Sequence, residues 1–254
     1  MNHKLLGRHP ERGFTLIEIL IALLIGLFLM GALLTIVQSN RRVYGEQNQL
    51  AQMQDNQRMA MTMMADIIQS AGYFPMPNVN TLNTALTAVA PFGIGQSISG
   101  THSTTAPSWD RIQVRYMTAP QDGILNCIGK SNPNPVGGAN IIYTNWFKLD
   151  NGQLVCNMNG TDYALVGGLT GSGLDITQMV IMYGVNSTAA GNNVDTYMTA
   201  DQVDAALLWG SVISVKVKLK FTNPLNRSGT VAGQPASFDI ERIISVMSQT
   251  GPTK

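Results

Sequence analysis

The stretch that most constrains this chain is its apolar run near the amino terminus. From Ile19 to Val37 no residue carries a charge. That length is close to the ~20 apolar residues a helix needs to cross a bilayer. Leu, Ile, Ala and Met dominate it, which predicts a helix. One carboxylate, Glu18, sits at its head, directly after Gly13-Phe14-Thr15-Leu16-Ile17. A charge at membrane depth costs about 2.5–3.5 kcal/mol on insertion scales, so Glu18 is expected to have a task. A short basic leader with Lys4, Arg8 and Arg12 precedes the motif. An ordinary signal peptide would be cut after its apolar core, at small residues. Here the distinctive junction lies in front of the core.

The segment Gly13-Phe14-Thr15-Leu16-Ile17-Glu18 resembles the class III signal of type IV prepilins and type II secretion pseudopilins. The resemblance implies three events. A prepilin peptidase cuts between Gly13 and Phe14, the new amino group of Phe14 is methylated, and Glu18 pairs with the amino terminus of a neighbouring subunit in a fibre. It also implies the orientation: leader inside, remainder outside. Charge alone does not settle this, because Arg41 and Arg42 follow the apolar run while the leader is basic as well.

The helix is expected to continue past those arginines. No proline occurs from Val43 to Ala71, and Ala60, Met63, Met64, Ile67 and Ala71 form a helical stripe. Gly72, with Pro75 just beyond, predicts the stop. A helix from Phe14 to Ala71 would be about 87 Å long, more than one domain can cover. Its first half is expected in membrane or against other helices, and its second half is expected to carry the domain. The methionines then read as core and not as a cofactor box.

Pro75–Pro107 has no helical stripe and reads as a long surface loop, with one short element near Leu86–Val89. Beyond it the chain reads as β. Ile112, Val114 and Tyr116 alternate with Arg111, Gln113 and Arg115, predicting a half-buried strand with those polar residues outward. Asp150-Asn151-Gly152 predicts a hairpin turn between Ile141–Leu149 and Gln153–Cys156. Asp162–Val166 and Ile176–Tyr183 are further strands, and Asp201–Leu208 is a short helix. In Val212–Phe221, five apolar residues alternate with Ser214, Lys216, Lys218 and Lys220. The lysine row is read as a solvated sheet face or a guarded edge, not as a binding patch. Phe238 to Val246 is the last strand.

Charged residues make up 12% of the 254-residue chain, against ~25% in typical soluble domains, and the net charge is +1. Nothing in that balance points to nucleic acid. Cys127 and Cys156 are expected to be bonded, since exported thiols tend to oxidise. Catalytic chemistry is poorly represented. His3 and His9 lie in the leader, leaving His102 in a polar loop. No nucleophile elbow and no zinc spacing are present. Gly129-Lys130-Ser131 fails as a P-loop because Ile124 occupies the place of the required first glycine. No enzyme activity, no cofactor and no metal are expected.

The order of one long helix followed by antiparallel strands resembles the pilin fold, an α+β class. Trp109–Tyr116, Cys127-Ile128-Gly129, Leu154-Val155-Cys156 and Trp209 before the lysine strand are similar to PilW-type minor pilins. Those are in turn similar to the J-type minor pseudopilins of type II secretion. Thr35 stands where many major pilins carry a helix-breaking proline, and the cysteines sit mid-domain, so major-pilin packing does not transfer. The expected organisation is a leader at 1–13, a transmembrane and assembly half-helix at 14–37, a periplasmic half-helix at 38–72 and a globular β domain at 73–254. The resemblance implies a minor pilin that helps initiate the type IV pilus near its tip and supports motility and adhesion. The alternative is a J-type pseudopilin of type II secretion. Implied partners are the prepilin peptidase, other minor pilins, the major pilin and, before assembly, the inner membrane.

Overall fold

In the computed structural model, residues 13–105, 109–170, 172–188, 193–227 and 233–250 are described. The basic leader up to Arg12 and Pro107 lie outside the described residues. The chain falls into two compact units that divide between Asn48 and Gln49.

Helix α1 runs Leu16–Gln69 without a break. It ends as the glycine predicts. Gly72 takes a left-handed φ of 74°, where glycine carries no Cβ penalty, and its N–H bonds the Arg115 carbonyl at 3.1 Å. The end falls two residues before Ala71, within the usual fraying of helix termini. In the second unit α1 buries Met53, Ala60, Met61, Met64, Ala65, Ile67 and Ile68. The methionine stripe is core, and the buried face is wider than the stripe alone.

The rest of this unit is two antiparallel sheets. The first has order β1-β2-β3-β4-β5, from Ile98–Thr101, Arg111–Thr118, Ile141–Asp150, Gln153–Met158 and Thr161–Val166. The second has order β7-β6-β8-β9, from Thr196–Met198, Ile176–Val185, Val212–Thr222 and Ser237–Ser245. Among the described residues, four short α-helices and a 3-10 turn at Trp209–Ser211 complete it: α2 (Leu82–Ala85), α3 (Ala200–Ala205), α4 (Pro224–Arg227) and α5 (Met247–Thr250). The sheets share one apolar cluster with α1, including Ile112, Tyr116, Phe147, Met179, Tyr183, Val217 and Phe221. Trp109 makes a parallel bridge to Met179, tying the approach to β2 onto β6. The α+β class expected from the sequence is the class found.

Three sequence expectations are narrowed or corrected by the structure. The lysine strand β8 is not an edge, because β6 and β9 flank it. Its lysines lie on a solvated face and are partly neutralised across the β8–β9 pair: Lys216–Glu241 at 3.1 Å and Lys218–Asp239 at 2.8 Å. The Asp239 carboxylate holds the Lys218 ammonium above its ordinary pKa. Residues 73–105 are also more than a loop. They hold α2 and β1, and bury Leu86, Phe92 and Ile98.

The third correction explains the second. Arg115 does not face solvent; it is 2% exposed. Its Nε donates to the Gln96 carbonyl at 2.6 Å and its Nη1 to Thr87 at 2.6 Å. Its Nη2 reaches Leu86 at 3.3 Å and Gly93 at 2.7 Å. The guanidinium carbon also lies 4.7 Å from the centre of the Phe92 ring. One planar fork thus reaches four backbone carbonyls between Leu86 and Gln96, ahead of β1. Burial pulls the Arg115 pKa down.

Candidate functional site: the amino-terminal helix segment

Thr15 opens α1, its carbonyl accepting from the N–H groups of Glu18 (3.1 Å) and Ile19 (3.3 Å). Glu18 therefore lies in the first turn, where unpaired backbone N–H groups favour a carboxylate by about 0.3–1 kcal/mol. Phe14, immediately before, is 80% exposed. Behind it the large apolar side chains from Leu16 to Val37 are all exposed. The segment has a mean hydropathy of 2.9 over 18 residues and none of that window is buried. The helix is long and apolar enough to cross a membrane. So much uncovered apolar surface needs lipid or other helices around it.

Phe14, Glu18, Ala22, Gly26 and Met30 lie along one side of the helix, with Ile19, Leu23 and Leu27 beside them. Gly26 leaves a shallow depression in this strip, and a Cβ there would meet nothing. Glycine inside a helix costs about 1 kcal/mol relative to alanine, but between membrane helices it permits close approach. Glu18 is the one charge in this apolar stretch. Thr35 gives its hydroxyl to the Gly31 carbonyl at 3.0 Å, so no polar hydrogen is left facing the apolar surroundings. The helix stays unbroken there, consistent with the absence of a proline. Arg42 pairs with Glu46 at 2.9 Å where the apolar run gives way to polar sequence.

Cys127 and Cys156 are joined as a disulfide, with Cα atoms 6.4 Å apart. Both are buried, and the Cys127 N–H is fixed by the Asn145 side-chain oxygen at 2.8 Å. The bridge ties the irregular 119–140 connection to β4. With the cysteines 29 positions apart in sequence, the bridge's loss in a double Cys→Ser variant is expected to cost about 3–4 kcal/mol in the chain-entropy model. Urea unfolding checks this; an unchanged midpoint would count against it.

His102 is not a free loop histidine. Its Nδ1 lies 2.9 Å from the Asp110 carboxylate. Asp110 is 1% exposed and also accepts from the N–H groups of Ser103 and Ile181. This places Asp110 as a structural clasp between the first sheet's approach and β6. Sequence reasoning missed this clasp and the Arg115 grip alike, since both depend on partners from distant segments. Among the described residues, no group of three His, Cys, Asp or Glu side chains could hold a metal ion.

Comparison with known proteins bears on both halves of the chain. Residues 8–34 match the model of the prokaryotic N-terminal methylation motif. Residues 153–242 match the model of type IV pilus-assembly protein W. No curated protein matches the chain significantly in sequence. Among solved structures, a type IV-like pilin from Thermus thermophilus is similar at a TM-score of 0.41 and 11% identity. The match covers 76% of this chain and 95% of that one. The methylation motif at the head of α1 and the PilW match across β4 to β9 are carried on one chain, which is therefore similar in both segments to PilW-type minor pilins of the type IV pilus.

Proposed function

We propose that this chain is a PilW-type minor pilin that helps to initiate type IV pilus assembly, sits near the pilus tip and supports pilus-dependent motility and adhesion. The observation that carries the reading is the uncovered apolar strip of α1 with Glu18 at its head, directly after the Gly13–Phe14 junction. On this reading a prepilin peptidase cuts between Gly13 and Phe14, and Phe14 is then N-methylated. The chain waits in the inner membrane as a single-pass protein with its domain in the periplasm. In the fibre the strip packs against the helices of other minor pilins and the major pilin, and Glu18 neutralises a neighbour's amino terminus. A carboxylate in that low-dielectric setting is tolerable only with such a partner.

The initiating role rests on shape as well. A repeated subunit must pack its domain against copies on all sides. Here the segment from Tyr73 to Ile94 displays exposed Met76, Val79, Val89 and Ile94, held in place from beneath by Arg115. Such a surface suits a terminal position with one side free. Intact mass of the protein from purified pili tests the reading. The expected result is a chain that begins at Phe14, carries one methyl group there and is far scarcer than the major pilin. A mature chain beginning beyond residue 37, or one that dominates the fibre, would overturn it.

A further inference from the structure

At the seam of the two sheets lies a cleft of about 480 Å³ lined by Trp109, the Asp150-Asn151-Gly152 turn, Thr170, Asp175 and Thr177. Its size falls in the range of small-molecule sites, ~300–1,000 Å³. Trp109 is 53% exposed, although a residue of that size is normally covered in an ordinary core. It is also fixed in place. Its Nε1 donates to the Thr177 carbonyl at 3.2 Å, its backbone bridges to Met179, and the neighbouring Asp110 is clamped on β6. A half-exposed aromatic ring held at its polar edge can act as a stacking platform.

The opposite wall is equally set. Asn151 and Gly152 have φ values of 47° and 81°, the left-handed pair that a two-residue hairpin turn requires. The turn is pinned by the Thr170 N–H to the Asn151 carbonyl at 3.0 Å and the Ile176 N–H to the Gly152 carbonyl at 2.8 Å. A Cβ at Gly152 would come within 2.8 Å of the Gly168 carbonyl and the Thr170 nitrogen. The Asp175 carboxylate is buried and accepts from the Gly173 N–H, so it serves the wall itself. The side chains of Asp150, Asn151 and Thr170 take no hydrogen-bond partner among the described residues. They offer a carboxylate, an amide and a hydroxyl beside an aromatic face.

We propose that this cleft binds a neutral saccharide, with Trp109 stacking on the apolar face of a sugar ring and Asp150, Asn151 and Thr170 holding its hydroxyls. Vicinal hydroxyls match a carboxylate and an amide in donor and acceptor count. Among the described residues no Lys or Arg lines the cleft, so acidic sugars meet two carboxylates and no counter-charge. The assignment is independent of the role in pilus assembly.

The test uses the full-length chain solubilised in a polyoxyethylene detergent, which contains no sugar. Maltotriose, tri-N-acetylchitotriose and lactose, all neutral, are titrated in turn, followed by tryptophan emission and calorimetry. At least one is expected to saturate with a Kd of about 1 mM and to shift the emission. Trp109→Ala is expected to weaken binding ~10-fold or more, while Trp109→Phe keeps most of it. Asp150→Asn and Thr170→Val are exposed-site changes that should weaken binding ~3-fold at unchanged thermal midpoint. The proposal is overturned if none of the three sugars saturates up to about 20 mM, or if Trp109→Ala binds as well as the parent. Saturation by tetramethylammonium alone would also overturn it, making Trp109 and Asp150 a cation site.

Discussion

Arg115→Ala is expected to lower the stability of the carboxyl-terminal unit by about 3–5 kcal/mol. The change opens a cavity beneath Phe92 and leaves the Thr87 and Gln96 carbonyls without a donor, while those of Leu86 and Gly93 keep only the N–H groups of Gly95 and Gln96. Each buried group left unpaired costs about 1–3 kcal/mol, offset in part because the domain no longer buries a cation without a carboxylate partner. For a unit of this size the thermal midpoint should fall by on the order of 10 °C. Arg115→Lys should recover only part of the loss, since an ammonium on a single stem cannot span carbonyls that the guanidinium fork reaches together. Limited proteolysis should show the first new cuts between Tyr73 and Gln96. A loss under about 1 kcal/mol in urea unfolding would mean the segment is held by its apolar contacts alone.

Glu18→Ala is expected to separate insertion from assembly. The substitution removes the one charge from the apolar strip, so entry into the membrane should be no worse. The cleavage junction at Gly13–Phe14 is untouched, so processing should proceed. In the fibre, a neighbour's amino terminus would lose its counter-ion where an unpaired charge costs several kcal/mol. Recruitment into pili should therefore fall by roughly tenfold or more, with the membrane pool unchanged. Glu18→Asp, shorter by one methylene, should fall in between. Immunoblots of membrane and sheared-fibre fractions read both quantities, and normal incorporation of Glu18→Ala would refute the pairing.

Much of this fold was legible because it is built from clean periodicities. The Ala60–Ala71 stripe of α1 and the alternation in Val212–Phe221 state their own burial, whereas Met53 is buried in a stretch with no clear stripe. The Asn151-Gly152 turn announced itself because only residues tolerant of positive φ fit there. The failures have a common physical cause: local pattern cannot report what covers a face. Arg115 alternates correctly with Val114 and Tyr116, yet residues 86–97 fold over it and use its fork. Ile98–Thr101 offers no alternation at all. It becomes β1 by pairing with β2, and Gly100 sits there because a Cβ would collide with the Tyr183 hydroxyl. The lysine row was read as a face or an edge. The choice between them rested on β9, whose Asp239 and Glu241 meet the lysines across the ladder. The amino-terminal segment was the opposite case. Its junction, carboxylate and apolar run are contiguous, so no long-range contact was needed to see them. The cleft at Trp109 draws on three separated segments and leaves no local signature.

The most direct measurement is a count of surface pili in a strain deleted for this chain, alongside its complemented parent. As a pilus initiator, the chain's loss should leave the major pilin at normal level in the inner membrane while surface pili fall sharply, with restoration on complementation. Normal piliation together with failed export of secreted proteins would contradict the assignment and place the chain in a type II secretion machine instead.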